Sequence, residues 1–163
     1  MEAMQGAVRR VTLTGGKTLD VKIPKGVADG QQIRLRGQGE DSPWGGKGGD
    51  ALITVKVEPH QLFERDGTSL RLTLPITVYE AALGGKVRVP TPSGSLNLTI
   101  APNSSGGKVL RLKGKGVATE TGKQGDLFVT LRIVLPDEEG ELQKALKKLA
   151  DKNAYSVRGA EFT

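Results

Sequence analysis

The sequence predicts a mainly β fold: two tandem small β-sandwich domains followed by a C-terminal helix. Three observations carry that expectation: a long internal repeat, period-two alternation of apolar and polar residues, and one apolar stripe at helical spacing near the C-terminus. Gln32-Ile33-Arg34-Leu35-Arg36-Gly37-Gln38-Gly39 returns in register as Val109-Leu110-Arg111-Leu112-Lys113-Gly114-Lys115-Gly116, 77 positions later. Gly49-Asp50-Ala51-Leu52 returns as Gly125-Asp126-Leu127-Phe128 at a spacing of 76, and Glu2-Ala3-Met4-Gln5-Gly6 as Glu80-Ala81-Ala82-Leu83-Gly84 at 78. Such a unit is too long for a solenoid repeat and about the size of a small domain. The expected division is 1–67, 68–136 and a C-terminal helix and tail at 137–163.

Along the chain, Val8 to Leu13, Leu19 to Ile23, Ile33 to Arg36, Leu52 to Val57 and Leu70 to Leu74 alternate as half-buried strands do. The second copy supplies Lys86 to Val89, Leu96 to Ile100, Val109 to Lys113 and Leu127 to Val134. Glycine and proline turns separate them, among them Pro24-Lys25-Gly26, Asp29-Gly30 and Pro92-Ser93-Gly94. A short helical turn is expected at Tyr79 to Leu83, stopped by Gly84. A longer helix is expected from about Asp137 to Lys152, its acids first and its lysines later, as the helix dipole favours. Gly140 weakens its first turn and moves the expected start later. Leu142, Ala145, Leu146 and Leu149 form one stripe, which packs either on its own domain or on a partner.

The copies are unequal. Glu80-Ala81 follows the strand Leu70 to Ile76, whereas Glu2-Ala3 follows only Met1. By internal symmetry the first module lacks its opening strand, which predicts that the chain is a fragment of a longer protein.

Composition excludes much. With no cysteine there is no disulfide and no thiolate metal site, and the expectation is a reducing, cytoplasmic setting. No stretch approaches the roughly 20 apolar residues of a membrane span. His60 is the sole histidine, which removes most catalytic triads and histidine zinc sites; in its turn a structural role is expected. Gly37-Gln38-Gly39 opens no helix, so a dinucleotide site fails on context. Asp50 and Asp126 recur as turn or cap residues rather than as paired catalytic carboxylates. No catalytic residue, metal ligand or cofactor is assigned. The net charge of +6 can attract nucleic acid or acidic protein segments, although basic residues alternating with aliphatic ones also suit solvated strand faces. Trp44, on a Gly-rich loop, reads equally as an exposed contact or as a plug over the sandwich edge. An open sandwich edge accepts an extended peptide by strand addition.

The quoted repeats, with Lys17-Thr18-Leu19-Asp20-Val21-Lys22-Ile23-Pro24-Lys25-Gly26-Val27 and His60-Gln61-Leu62-Phe63-Glu64-Arg65-Asp66-Gly67, resemble the C-terminal substrate-binding region of the DnaJ co-chaperone family over about residues 2 to 136. The J-domain with its His-Pro-Asp motif and the Cys-x-x-Cys-x-Gly-x-Gly repeats are not in this chain, which is similar to the zinc-free branch that includes the curved-DNA-binding protein. The resemblance implies two peptide-binding β-sandwiches, dimerisation through the C-terminal segment, and capture of unfolded polypeptide clients for a DnaK-type heat-shock chaperone. Matched by motif, the client groove falls on Val11, Leu13 and Phe63, although the same alternation serves an ordinary buried face. Arg9, Arg10 and Lys17 lie beside it and fit either an acidic tail of the partner chaperone or a solvated face. Leu142, Leu146 and Leu149 fall at the homodimer seam. Non-specific DNA binding is the alternative function.

Overall fold

The computed structural model describes residues 1–13, 16–39, 48–119, 121–137 and 140–160. Trp44 lies outside them. The protein is mainly β, in several small sheets. In the first copy a helical turn α1 (Glu2–Gln5) leads into β1 (Ala7–Thr12), β2 (Thr18–Ile23), β3 (Gln32–Leu35) and β4 (Ala51–Thr54). Next come β5 (Glu64–Asp66), β6 (Ser69–Thr77), α2 (Val78–Leu83), β7 (Gly85–Thr91), β8 (Gly94–Ile100), β9 (Val109–Leu112) and β10 (Leu127–Val134). β1 pairs with β2, β3 with β4 and β7 with β8, while a four-stranded sheet runs β5-β6-β10-β9. Met1–Ile133 is one compact unit and Val134–Thr163 a second.

The repeat is visible in hydrogen bonds. Gly30 N–H donates to the Val55 carbonyl and Val55 N–H to the Gln31 carbonyl, both at 2.9 Å. The second copy matches this with Gly107 N–H to Leu131 (2.7 Å) and Leu131 N–H to Lys108 (2.9 Å). The Asp50 carboxylate accepts from Gly37 N–H at 2.8 Å and from Arg34; Asp126 accepts from Gly114 N–H at 2.8 Å and from Arg111 Nε at 2.7 Å. Each aspartate thus closes the turn after one strand and pins the arginine of that strand, which is why the two recur.

Both carboxyls are held below the usual carboxylate range, first by the glycine N–H and then by the arginine. A group depressed in the folded state contributes stability above its unfolded value, about 3.9 for Asp, and loses that contribution as pH falls through the folded value. Asp126→Asn is expected to lower the urea midpoint at pH 7 and to leave less stability to lose below about pH 4. Superimposable profiles of wild type and variant from pH 7 to 2 would contradict this.

β6 shows the strongest alternation: Leu70, Leu72, Leu74 and Ile76 are buried, and the residues between them are exposed or half-buried. β5 pairs only with Ser69 to Arg71, so Pro75 sits where the outer side of β6 has no neighbour among the described residues. A missing N–H is tolerated there. α2 starts on a capping box: Glu80 N–H donates to Thr77 Oγ1 (3.1 Å) and Thr77 N–H to Glu80 Oε2 (2.8 Å). Gly84, at φ +77°, ends it with its N–H on the Glu80 carbonyl.

The main core gathers Leu70, Leu72, Leu74, Ile76, Val89, Leu98, Ile100, Leu127, Val129 and Leu131, all second-copy residues, with Met4 and Phe63 joining from the first. β5, which falls within 1–67, joins the second copy's sheet. Arg65 on β5 donates to the carbonyls of Val27 (2.6 Å) and Gly26 (2.7 Å), and the Gln5 amide donates to the Pro92 carbonyl.

In the second unit, α3 spans Glu141–Lys152, starting after Gly140 as the weak first turn predicts. No side chain among the described residues caps it, and Lys144 pairs with Glu141 at 3.2 Å. On its stripe Leu142 is half-buried, whereas Leu146 and Leu149 are exposed.

Candidate functional site

The candidate site lies in the first copy, where β1, β2, β3 and β4 enclose space instead of core. Alternation along β1 turns Arg9 and Val11 to one face and Val8, Arg10 and Thr12 to the other; Val8 is 66% exposed. The inward face opens on a cleft of about 570 Å³, lined by aliphatic side chains of all four strands: Val11 on β1, Val21 and Ile23 on β2, Ile33 on β3 and Ile53 on β4. Val55 and Val57, beyond β4, continue the wall. A second cleft of about 600 Å³ is lined by Met4, Val57, Pro59, His60, Phe63 and Arg65 among others. The two clefts adjoin, sharing Met1, Ala3, Val57 and Glu58.

The three groove residues matched by motif are therefore distributed. Val11, half-buried, lines the first cleft, and Phe63 lines the second. Leu13 lies just past β1, its N–H on the Lys17 carbonyl at 2.9 Å, and lines neither cleft. Phe63 is 3% exposed and belongs to the main core, so it forms the floor of its cleft rather than a free contact. His60 supports it: the rings lie 5.0 Å apart, and His60 Nδ1 accepts from Leu62 N–H at 3.1 Å. Met4, Ile53, Val55 and Val57 are also wall residues, and no motif marks them as such. The alternation of Leu52 to Val57 carries a strand signal, but says nothing of which face stays uncovered.

Two of the three basic residues beside the groove already have acidic partners. Arg9 Nε donates to Glu2 Oε2 at 2.9 Å. Arg10 Nε donates to Asp20 Oδ1 at 2.9 Å, across the strand pair in which these residues face each other, and this bond raises the Arg10 pKa. Both pairs are solvent-exposed, and exposed pairs contribute little stability. An incoming acidic segment would exchange partners with Glu2 and Asp20. Lys17 is exposed and in no ion pair among the described residues.

No group of three or more His, Cys, Asp or Glu placed to hold a metal ion occurs among the described residues. Nor is any helix among them long and apolar enough to cross a membrane. The arrangement offers aliphatic walls, an aromatic floor and a few charges at the rim, which is the chemistry of reversible binding to apolar side chains.

The chain is 48% identical over 143 residues to a protein named "Curved DNA-binding protein" from Pseudomonas syringae pv. tomato, covering 87% of this chain and 46% of that protein. Proteins of the same name from Pseudomonas putida (47% identity, 87% of this chain, 45% of the relative) and Escherichia coli O9:H4 (47%, 83% and 44%) are similarly alike. The chain thus spans about half the length of the curated relatives it matches. The family model described as the DnaJ C terminal domain matches residues 1–136. That match runs through both copies of the repeat and every strand from β1 to β10: the chain belongs to the DnaJ C-terminal domain family.

Proposed function

We propose that this chain is the polypeptide-binding part of a DnaJ-type co-chaperone. It captures exposed apolar segments of non-native polypeptides in the first copy's clefts, at Val11 and over the Phe63 floor with Leu13 as a flanking contact outside the clefts, and presents them to a DnaK-type heat-shock chaperone in the cytoplasm. The observation that supports this best is the pair of adjoining apolar clefts in the first copy. Binding there makes and breaks no covalent bond, so the reading is non-enzymatic. Aliphatic walls with little polar patterning favour apolar segments without fixing their sequence. In this reading 1–67 and 68–136 act as successive domains, the first carrying the groove. Arg9, Arg10 and Lys17 receive an acidic tail of the partner chaperone.

The test is suppression of aggregation of a chemically unfolded client. Val11→Ser with Leu13→Ser, checked by circular dichroism to be folded, is expected to reduce suppression at least several-fold. Unchanged suppression would remove the groove assignment.

Leu142, Leu146 and Leu149 form the seam of a homodimer in the same reading, which gives each client two grooves and the avidity that follows. The exposure of Leu146 and Leu149 supports it. Leu146→Asp is expected to convert dimer to monomer in sedimentation velocity, and a wild-type monomer at tens of micromolar would count against the seam.

A second reading, non-specific binding of duplex DNA, draws support from the net charge of +6 and from the printed name of the relatives. It requires affinity that falls steeply with added salt, the slope reporting the phosphates neutralised.

A further inference from the structure

The net charge of +6 belongs to one segment of the chain. Of the 24 Lys and Arg, six lie in residues 81–119: Lys86, Arg88, Lys108, Arg111, Lys113 and Lys115. All 18 Asp and Glu lie elsewhere, balanced by the other 18 Lys and Arg. Charge gathered in this way suits a polyanionic partner. Two of the six are engaged within the fold: Arg111 pairs with Asp126, and Lys108 Nζ donates to Ser104 Oγ at 3.4 Å. Lys86 and Arg88 are exposed and in no ion pair among the described residues.

Both stand on the outer face of the ribbon formed by β7 and β8. Val87, Val89 and Thr91 on β7 and Leu96, Leu98 and Ile100 on β8 are buried or half-buried. Alternation turns the other residues outward: Lys86 opposite Thr99, Arg88 opposite Asn97 and Pro90 opposite Ser95. The ribbon of β1 and β2 in the first copy has the same layout, but there Arg10 stands opposite Asp20 and donates to it at 2.9 Å. Arg88 is the counterpart of Arg10, 78 positions on, and Asn97 that of Asp20, 77 positions on. The second copy thus keeps the arginine and replaces its carboxylate by a neutral amide, which offers hydrogen bonds but cancels no charge. Lys86 adds a cation where the first copy has Val8.

We propose that the outer face of β7 and β8 docks on the phosphate backbone of duplex DNA, with Lys86 and Arg88 on phosphate oxygens and Ser95, Asn97 and Thr99 donating beside them. Lys, Arg, Ser, Asn and Thr are side chains that make phosphate and sugar contacts. A two-stranded ribbon is also narrow enough to enter the major groove. Pro90 is the one apolar side chain on this face, so it gives no hold to the apolar side chains of a polypeptide, whereas phosphates need none. Backbone contacts carry no base code, so the binding is non-specific. This inference rests on the duplex-DNA reading above and names its face; it places that face in the second copy, apart from the clefts of the first.

The experiment titrates a short fluorescent DNA duplex with the full chain at several salt concentrations and reads anisotropy. Asn97→Asp gives Arg88 the carboxylate that Arg10 already has. It is expected to weaken binding about fivefold at low salt and to make the salt slope shallower by about one. Lys86→Gln with Arg88→Gln is expected to make the slope shallower by about two, and this pair keeps the test open should Asn97→Asp fail to fold by circular dichroism. Lys123→Gln lowers the net charge by the same unit at another exposed position of the second copy and is expected to change affinity by less than about twofold. Equal effects of Asn97→Asp and Lys123→Gln would overturn the assignment of the face while leaving the DNA reading in place. No binding of the duplex by the wild type at low salt would remove both. Competition by polyglutamate as effective as that by unlabelled duplex at equal charge would overturn the proposal by giving the face to acidic polypeptide.

Discussion

Val89→Ala is expected to cost about 2 kcal/mol of stability, and Val11→Ala, 78 positions earlier at the equivalent site, under about 1 kcal/mol. The substitution removes the same two methyl groups each time. At Val89 the side chain is fully buried in the main core, so the variant loses the transfer free energy of those groups and leaves a void that packed neighbours fill only in part. At Val11 the side chain is half-buried on an open cleft, so less surface returns to water and no enclosed void forms. Paired urea melts read the difference directly. Equal costs at the two sites would mean that the first copy is packed as well as the second, and the account of an open cleft would fail.

A second matched pair probes the same asymmetry through the backbone. Gly125→Ala is expected to destabilise the protein by about 3 kcal/mol, the upper range for overpacking. A Cβ at Gly125 would stand 1.9 Å from the Thr68 carbonyl oxygen and 2.4 Å from its carbon. That carbonyl has little freedom to yield, because it accepts from Val117 N–H at 2.8 Å and leads directly into β6. Gly125 is itself held, its N–H on the Val117 carbonyl and its carbonyl accepting from Gly116. At the equivalent Gly49, 76 positions earlier, an added Cβ meets nothing within 4 Å among the described residues. Gly49→Ala is therefore expected to change stability by less than about 0.5 kcal/mol, as surface substitutions do. A thermal melt that ranks the two variants the other way would contradict the placement of Thr68 over Gly125.

These pairs also show what the sequence carries and what it does not. Strand positions are legible because a half-buried strand must alternate, and β6 does so without exception from Leu70 to Ile76. The repeat is legible because the turn chemistry recurs: Gly37 and Gly114 each place an N–H on an aspartate that also holds an arginine. β5 escapes because Glu64-Arg65-Asp66 has no apolar residue to alternate, and only its pairing with Ser69 to Arg71 makes it a strand. The α2 boundary was readable from Thr77 and Glu80 as a capping box, a signal the alternation around it masked. Burial at equivalent positions is not legible at all. Val11 and Val89 sit in similar local sequence, and only the tertiary neighbour differs, so local pattern cannot tell an uncovered face from a core. Phe63 shows the same limit from the other side, since its motif points to a groove while its packing makes it a floor of the core.

The central claim is that the first copy's apolar clefts bind polypeptide. An NMR titration of the full chain with a permanently unfolded, reduced and alkylated polypeptide tests it most directly. The account predicts shift changes at Val11, Ile53 and the residues around Phe63 that persist when salt is raised. Unmoved signals there, with changes confined to exposed lysines and arginines on adding short duplex DNA and lost at high salt, would contradict it.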